Sequence, residues 1–231
     1  DMATESFSQA GGVEKLQGVK VKNKVIENAR LEVTDITIET QEAAEKLGRP
    51  VGRYITLTAT DSTFDMYSDS FRERAEVIAK AIGELCGGCE RFLAVGLGNY
   101  ALTSDAVGPL TAEKIFATRH IKSLAKEIDT DDLGEVTVIQ PGVLGNTGIE
   151  SSEQVKAIAE RVTPQAVIAV DALACSELSN LGRTIQLCNT GISPGSGVEN
   201  ARKELSLSTL GVKCIAIGCL LYTSDAADEA R

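Results

Sequence analysis

Tryptophan is absent, and five Phe and four Tyr make up the whole aromatic content, leaving few flat faces on which bases or sugars could stack. Histidine occurs once, as His120. A serine or cysteine hydrolase needs a base beside its nucleophile, and one histidine leaves few ways to supply it. His120 falls on an expected helix without an acid or nucleophile close by in sequence, the pattern of a structural or solvated side chain. Ser104, Cys175 and Ser176 lie near candidate acids only along the chain. Positive charge is in deficit, with 23 Lys and Arg against 33 Asp and Glu, and the net charge of −10 opposes direct binding to nucleic acid. No run reaches the roughly 18 apolar residues of a membrane span and no signal peptide opens the chain. A cytoplasmic protein with no membrane partner is the expectation.

Cysteine is present but scattered, at positions 86, 89, 175, 188, 214 and 219. Most of these sit in apolar segments, where a thiol acts as a small hydrophobe. Cys86 and Cys89 have metal or redox spacing, yet a zinc site needs a second ligand pair. No metal and no cofactor are expected. No Pro- or Ser-rich linker divides the 231 residues, so one α/β domain is the economical reading.

The chain is organised around Phe92 to Leu110, FLAVGLGNYALTSDAVGPL. Four apolar residues form a strand of the kind buried on both faces. The strand stops at Gly96 and Gly98, a loop carries Asp105, and Pro109 suits the first turn of a helix. The pattern recurs where Ala166 to Val170 reads as a buried strand that Asp171 terminates. Each carboxylate by itself is a competent helix cap. Together they are candidates for one cleft beyond the carboxyl ends of parallel strands.

Other elements follow from periodicity. Val19 to Val25, Leu31 to Glu39 and Tyr54 to Ala59 read as strands, with a helical turn or two between Gln41 and Lys46. Phe71, Ala75, Ile78, Ala79, Ile82 and Leu85 recur at helical spacing, with Gly87 as a stop. Leu110, Ala117, Ile121 and Leu124 predict one further helix. Val136 to Ile139 is a strand, and Thr147 with Glu150 has capping-box spacing ahead of Val155, Ile158, Ala159 and Val162. Arg183 to Cys188 and Val212 to Gly218 are strands, with weak helical character from Glu199 to Leu205. Strands interleaved with helices predict a doubly wound, mainly parallel sheet with helices on both faces.

Four ordered motifs carry a family resemblance: GLGN at Gly96 with TSDAVGP from Thr103, QPGVLGNTG from Gln140, VDALA from Val170, and NTGISPGSG from Asn189. From about Ile36 to Gly218 the chain resembles the spore germination protease family. The resemblance implies an endopeptidase of small acid-soluble spore proteins that acts when the spore germinates, in the cytoplasm of the forespore or spore core. It implies a fold similar to the hydrogenase maturation proteases (phosphorylase/hydrolase-like), synthesis as a zymogen, and a homotetramer. The aspartates assigned to catalysis in that family fall on Asp105 and Asp171. Gly98, Asn99, Gly142, Gly145, Asn146, Gly195 and Gly197 would leave room for a substrate backbone in the cleft.

Residues 1–218 are expected to form the peptidase domain, with 1–30 a lead-in whose start, Asp1, reads either as a processed end or as the ragged end of an incomplete gene. Cys219 to Arg231 matches nothing in the family pattern and reads as a non-native tail on a C-terminally truncated chain. Two other readings stay open. Gly96, Gly98 and Ala101 satisfy the G-x-G-x-x-A pattern of a dinucleotide-binding protein, although the helix is expected to start too late and Gln140 stands where a ribose-binding acid is wanted. Two acids over glycine loops could also form a non-catalytic peptide- or cation-binding module.

Overall fold

A computed structural model describes residues 16–124, 130, 133–175, 178–193 and 203–223. Among them are eight strands in one sheet. In chain order these are β1 (Val19–Ile26), β2 (Leu31–Ile38), β3 (Gly52–Ala59), β4 (Arg91–Gly96), β5 (Glu135–Ile139), β6 (Ala166–Cys175), β7 (Thr184–Cys188) and β8 (Lys213–Thr223). They lie side by side as β1-β2-β3-β7-β8-β6-β4-β5. The helices are α1 (Gln41–Leu47), α2 (Phe71–Cys86), α3 (Val107–Lys114), α4 (Arg119–Leu124), α5 (Leu144–Thr147), α6 (Ser151–Val162) and α7 (Leu207–Leu210).

The sheet is mixed, which corrects the expectation of a mainly parallel one. β5, β4, β6 and β8 pair in parallel, whereas the four pairings from β8 through β7, β3 and β2 to β1 are antiparallel. The reason lies in the links. Antiparallel neighbours need only a short turn, while parallel ones need a crossover of a dozen residues or more. Eight residues separate the end of β6 from the start of β7, too few for a crossover, so β7 returns antiparallel.

Helices pack on both faces. On one, Ala81, Leu85 and Cys86 of α2 join Leu31, Val33, Leu57, Leu187 and Ile215 in a core cluster. On the other, Val155 and Ala159 of α6 meet Leu93, Val95, Val167 and Ala169, and α1 covers Ile36, Ile38 and Tyr54. Local chemistry sets the helix ends: Thr40 caps α1 through Ala43 N–H, and Gly48 and Gly87 close α1 and α2 at positive φ, where glycine carries no Cβ penalty.

Four local expectations are revised. The helix predicted from Leu110 to Leu124 is broken into α3 and α4, because Thr118 leaves the helix and bonds the backbone of Val136 in both directions. The Thr147/Glu150 capping box does not form. Thr147 Oγ1 instead donates to the carbonyls of Val143 and Ile149, and Glu150 precedes α6 without a side-chain cap. Leu205, expected at the end of a weak helix, is fully buried in a bridge with Ile192; residues 199–202 of that helix lie outside the described residues. Finally, β8 runs past Gly218 to Thr223. The first five residues of the expected tail are therefore in the sheet, with Leu220 1% exposed against Leu173 and Leu181.

Candidate active site

β4 leads through α3 and α4 to β5 on one side of it, while β6 leads to β7 and β8 on the other. The connections thus diverge between β4 and β6, and the crevice outside their carboxyl ends is where open α/β sheets bind ligands. Asp171 stands on β6, and Asp105 lies in the loop that follows β4. Asp105 ends a 3₁₀ turn, Thr103–Asp105, that touches β6 and β8. Its Oδ2 accepts the Asn99 N–H at 2.8 Å.

Glycine is required on either side of this turn. Gly98 has φ +114, and a Cβ there would lie 2.1 Å from the Asp105 carbonyl oxygen. A Cβ on Gly108 would lie 2.1 Å from the Leu97 carbonyl oxygen and 2.5 Å from that of Val170. The loop from Gly98 to Gly108 is therefore folded tightly onto β4 and β6.

Asp171 does not terminate its strand, as the sequence suggested, but lies within β6. What ends there is the partnership with β4: the parallel pairing stops at Gly96 and Val170, with one further bond from Leu97 N–H to the Val170 carbonyl. Beyond that point, among the described residues, β6 keeps β8 as its one paired strand. Asp171 is the first residue past the departure of β4. It is 6% exposed, and its Oδ1 accepts the Ala172 N–H at 2.9 Å. Alternation along β6 places it on the face of Val167 and Ala169, the face that α6 covers. Burial first, and then the charge of Asp171, push the thiol of Cys219 up to about 11.

The other predicted residues distribute around this point. Gly98 and Asn99 touch Asp105 directly. Gly142 follows β5 at φ +71, and Gly145 and Asn146 lie exposed in the short helix α5. Gly195 and Gly197 fall outside the described residues. His120 is exposed on α4. Among the described residues, no three His, Cys, Asp or Glu side chains are grouped to hold a metal ion.

The glycine pattern that suggested a dinucleotide site is used differently. The helix after β4 starts at Val107, well beyond Ala101, and the Asp105 carboxylate occupies the place next to Gly98 and the Asn99 amide. A pyrophosphate would need those amides and the start of a helix together.

Sequence reasoning missed a cavity beside Asp171. About 260 Å³ in volume, it is floored by Gln186, Cys188, Ala216 and Gly218, and walled by Tyr54, Leu173 and Ile192. Burial pushes the Tyr54 phenol above its usual value, and its hydroxyl donates to the Pro50 carbonyl at 2.8 Å. These residues come from β3, β6, β7, β8 and the loop after β7. Only the strand order brings them together, so no local pattern announces them.

Residues 1–227 match the germination protease family. The chain belongs to that family. The germination protease of Clostridium perfringens is 39% identical over 207 residues, covering 88% of this chain and 63% of that protein. The germination protease of Oceanobacillus iheyensis is 38% identical over 239 residues, covering 99% of this chain and 64% of that protein. This germination protease family chain thus spans just under two thirds of the length of these relatives. Among solved structures, a [NiFe] hydrogenase maturation protease, HycI from Thermococcus kodakarensis, aligns with 65% of this chain and 93% of its own at 19% identity and a TM-score of 0.38, too distant to bear on the site.

Proposed function

We propose that this chain is an endopeptidase that begins the degradation of small acid-soluble spore proteins during germination, with Asp105 and Asp171 acting on water. The observation that carries the reading is that Asp171 stands on β6 just past the departure of β4, and Asp105 lies in the turn that follows β4, where the chain connections diverge. Membership of the germination protease family supplies the reaction class.

Two neighbouring carboxylates resist double ionisation, so one stays protonated while the other is charged. The charged one takes a proton from a water molecule as the water oxygen bonds to the peptide carbonyl carbon. The protonated one gives its proton to the carbonyl oxygen. The tetrahedral intermediate then breaks its C–N bond: the nitrogen leaves as an amine with the proton that the first carboxylate took from water, and the second carboxylate recovers its proton from the hydroxyl as the carbonyl re-forms. The exposed side chains of Tyr100 and Leu102, on the loop that carries Asp105, and the glycine turns after β5 would contact the substrate on either side.

The net charge of −10 means that a substrate normally bound to DNA would be met after its release. A zymogen stage, a homotetramer and residence in the spore core belong to the same reading; sedimentation would test the tetramer directly.

The test is peptide cleavage followed by mass analysis. Asp105→Asn and Asp171→Asn should each lower the rate by about 10²–10⁴-fold while leaving the melting temperature close to that of the parent. Retained activity in either variant removes that residue from the mechanism. A chelator should leave the rate unchanged, and activity lost to chelation and restored by a metal ion would replace the carboxylate mechanism with a metal-assisted one.

A further inference from the structure

The register of the sheet places one row of residues directly opposite one another: Thr34 on β2, Thr56 on β3, Gln186 on β7, Gly218 on β8 and Asp171 on β6. Residues directly opposite in a ladder point to the same face. The face is the one that bears the cavity, since Gln186 and Gly218 form part of its floor. Asp171 is therefore one strand spacing, about 4.8 Å, from the cavity floor. The cavity and the candidate catalytic carboxylate share one surface.

The shape of the cavity follows from side-chain size. Cys188, Ala216 and Gly218 are small, and they lie between the larger Tyr54, Leu173 and Ile192. At Gly218 the side chain of Leu173 takes the space that a Cβ would need, with its Cδ1 only 2.1 Å from that position. Leu173, two residues beyond Asp171 on the same strand face, thus forms the wall next to the carboxylate. Among the described residues, the charged groups lining the cavity are Arg49 and Glu204, of opposite sign. Their charges cancel, so the lining offers no net charge to offset the cost of taking an ionised ligand side chain out of water.

We propose that this cavity is the specificity pocket of the site, receiving one uncharged, mainly apolar substrate side chain from a residue close to the scissile bond. The proposal rests on the endopeptidase reading. It adds which part of the molecule selects the substrate and what chemistry is selected. The small residues of the floor set the depth and Leu173 sets the width beside Asp171.

The experiment uses peptide libraries in which one position at a time carries Gly, Ala, Leu, Phe, Glu or Lys. It is run on the parent chain, on Ala216→Leu, which shortens the pocket, and on Leu173→Ala, which widens it. Circular dichroism and melting establish that each variant is folded. At one position near the cut the parent should prefer Leu over Ala by about 10–100-fold in kcat/KM, with Glu and Lys disfavoured. Ala216→Leu should move the preference towards Ala, and Leu173→Ala should move it towards Phe. Proportional loss for all peptides in both variants, or a preference for Glu or Lys at that position in the parent, overturns the proposal.

Binding of the same peptides to the Asp171→Asn variant, read by fluorescence anisotropy, separates the two claims. Selective binding without cleavage by the parent means that the endopeptidase reading fails and the pocket stands. Cleavage by the parent with preferences that neither pocket variant shifts means that the pocket fails and the endopeptidase reading stands. Neither cleavage nor binding overturns both.

Discussion

Arg74 shows what burial demands of a charged side chain. It is 1% exposed, donates to the carbonyls of Ala29 and Thr63 at 3.1 Å each, pairs with Asp61 and lies over the Phe64 ring. None of this was legible in the sequence, where Arg74 reads as one polar position on an amphipathic helix while its partners are 10 to 45 residues away. Asp105 and Asp171, in contrast, could be picked out because a strand, glycines and an acid are contiguous. Arg74→Ala should cost about 3 kcal/mol, the low end for breaking a buried pair, because Asp61 keeps Arg30 as a partner; urea unfolding measures it, and a cost below about 1 kcal/mol would show the pair to be idle. Arg30 first, with the Ser62 amide and Arg74, holds the Asp61 carboxyl well below the usual carboxylate range. That contribution is present above an unfolded value of 3.8 and is lost as pH falls below it. The thiols move the other way. Burial pushes Cys214 up to about 12 and Cys219 up to about 11 from 9.0, so their contribution is intact below pH 9 and declines as pH rises above it. Stability measured from pH 8 to pH 11 should therefore fall with rising pH, and Cys214 should resist alkylation at pH 8 until the chain is unfolded.

At the scale of elements, periodicity located strands well and failed where two chain segments compete for the same residues. Thr118 has the right spacing for a helix, but its backbone and hydroxyl are claimed by the partners beside β5. Asp171 looked like a strand end because the apolar run stops there, whereas β8 continues to pair with β6 through Cys175. The contact between β4 and α3 decides where Asp105 sits, and it depends on two glycines at once. A Cβ on Gly96 would lie 2.2 Å from the Gly108 carbonyl oxygen, and a Cβ on Gly108 would meet the carbonyls of Leu97 and Val170. These obstacles are backbone atoms and have no rotamer to change. Gly108→Ala should therefore push α3 outward, with a stability loss of about 1–3 kcal/mol. It should also lower cleavage by up to about 10²-fold, through displacement of the Asp105 turn rather than through unfolding. Cleavage assayed well below the melting temperature makes the distinction, and full activity in Gly108→Ala would detach Asp105 placement from this contact. Because Gly96 and Gly108 meet at one point, the double variant should cost less than the sum of the single ones.

For the whole molecule, the alternation along β1 and β2 already carried the signal of antiparallel strands with unlike faces, and counting helices between strands concealed it. What no count could supply is the strand order, which sets β7 and β8 between β3 and β6 and so builds the cavity beside Asp171. The C-terminal end of β8 belongs to the same construction. Leu220 is packed against Leu173 and Leu181, Cys219 pairs with Ala172 on one side and Ile185 on the other, and the Gly182 N–H donates to the Leu220 carbonyl at 2.8 Å. A chain cut after Gly218 loses these contacts and leaves β6 beyond Asp171 without a paired strand, since β4 has already departed. The loss should be about 2–5 kcal/mol, as for emptying a buried leucine site. At this size that lowers the melting temperature by about 2–4 °C per kcal/mol. Since Leu173 is both a wall of the cavity and a partner of Leu220, the same cut should blunt selection among peptide side chains before it abolishes cleavage. A chain ending at Gly218 that melted at the parent temperature, with unchanged preferences, would show that the sheet beyond Asp171 contributes neither to stability nor to the shape of the site.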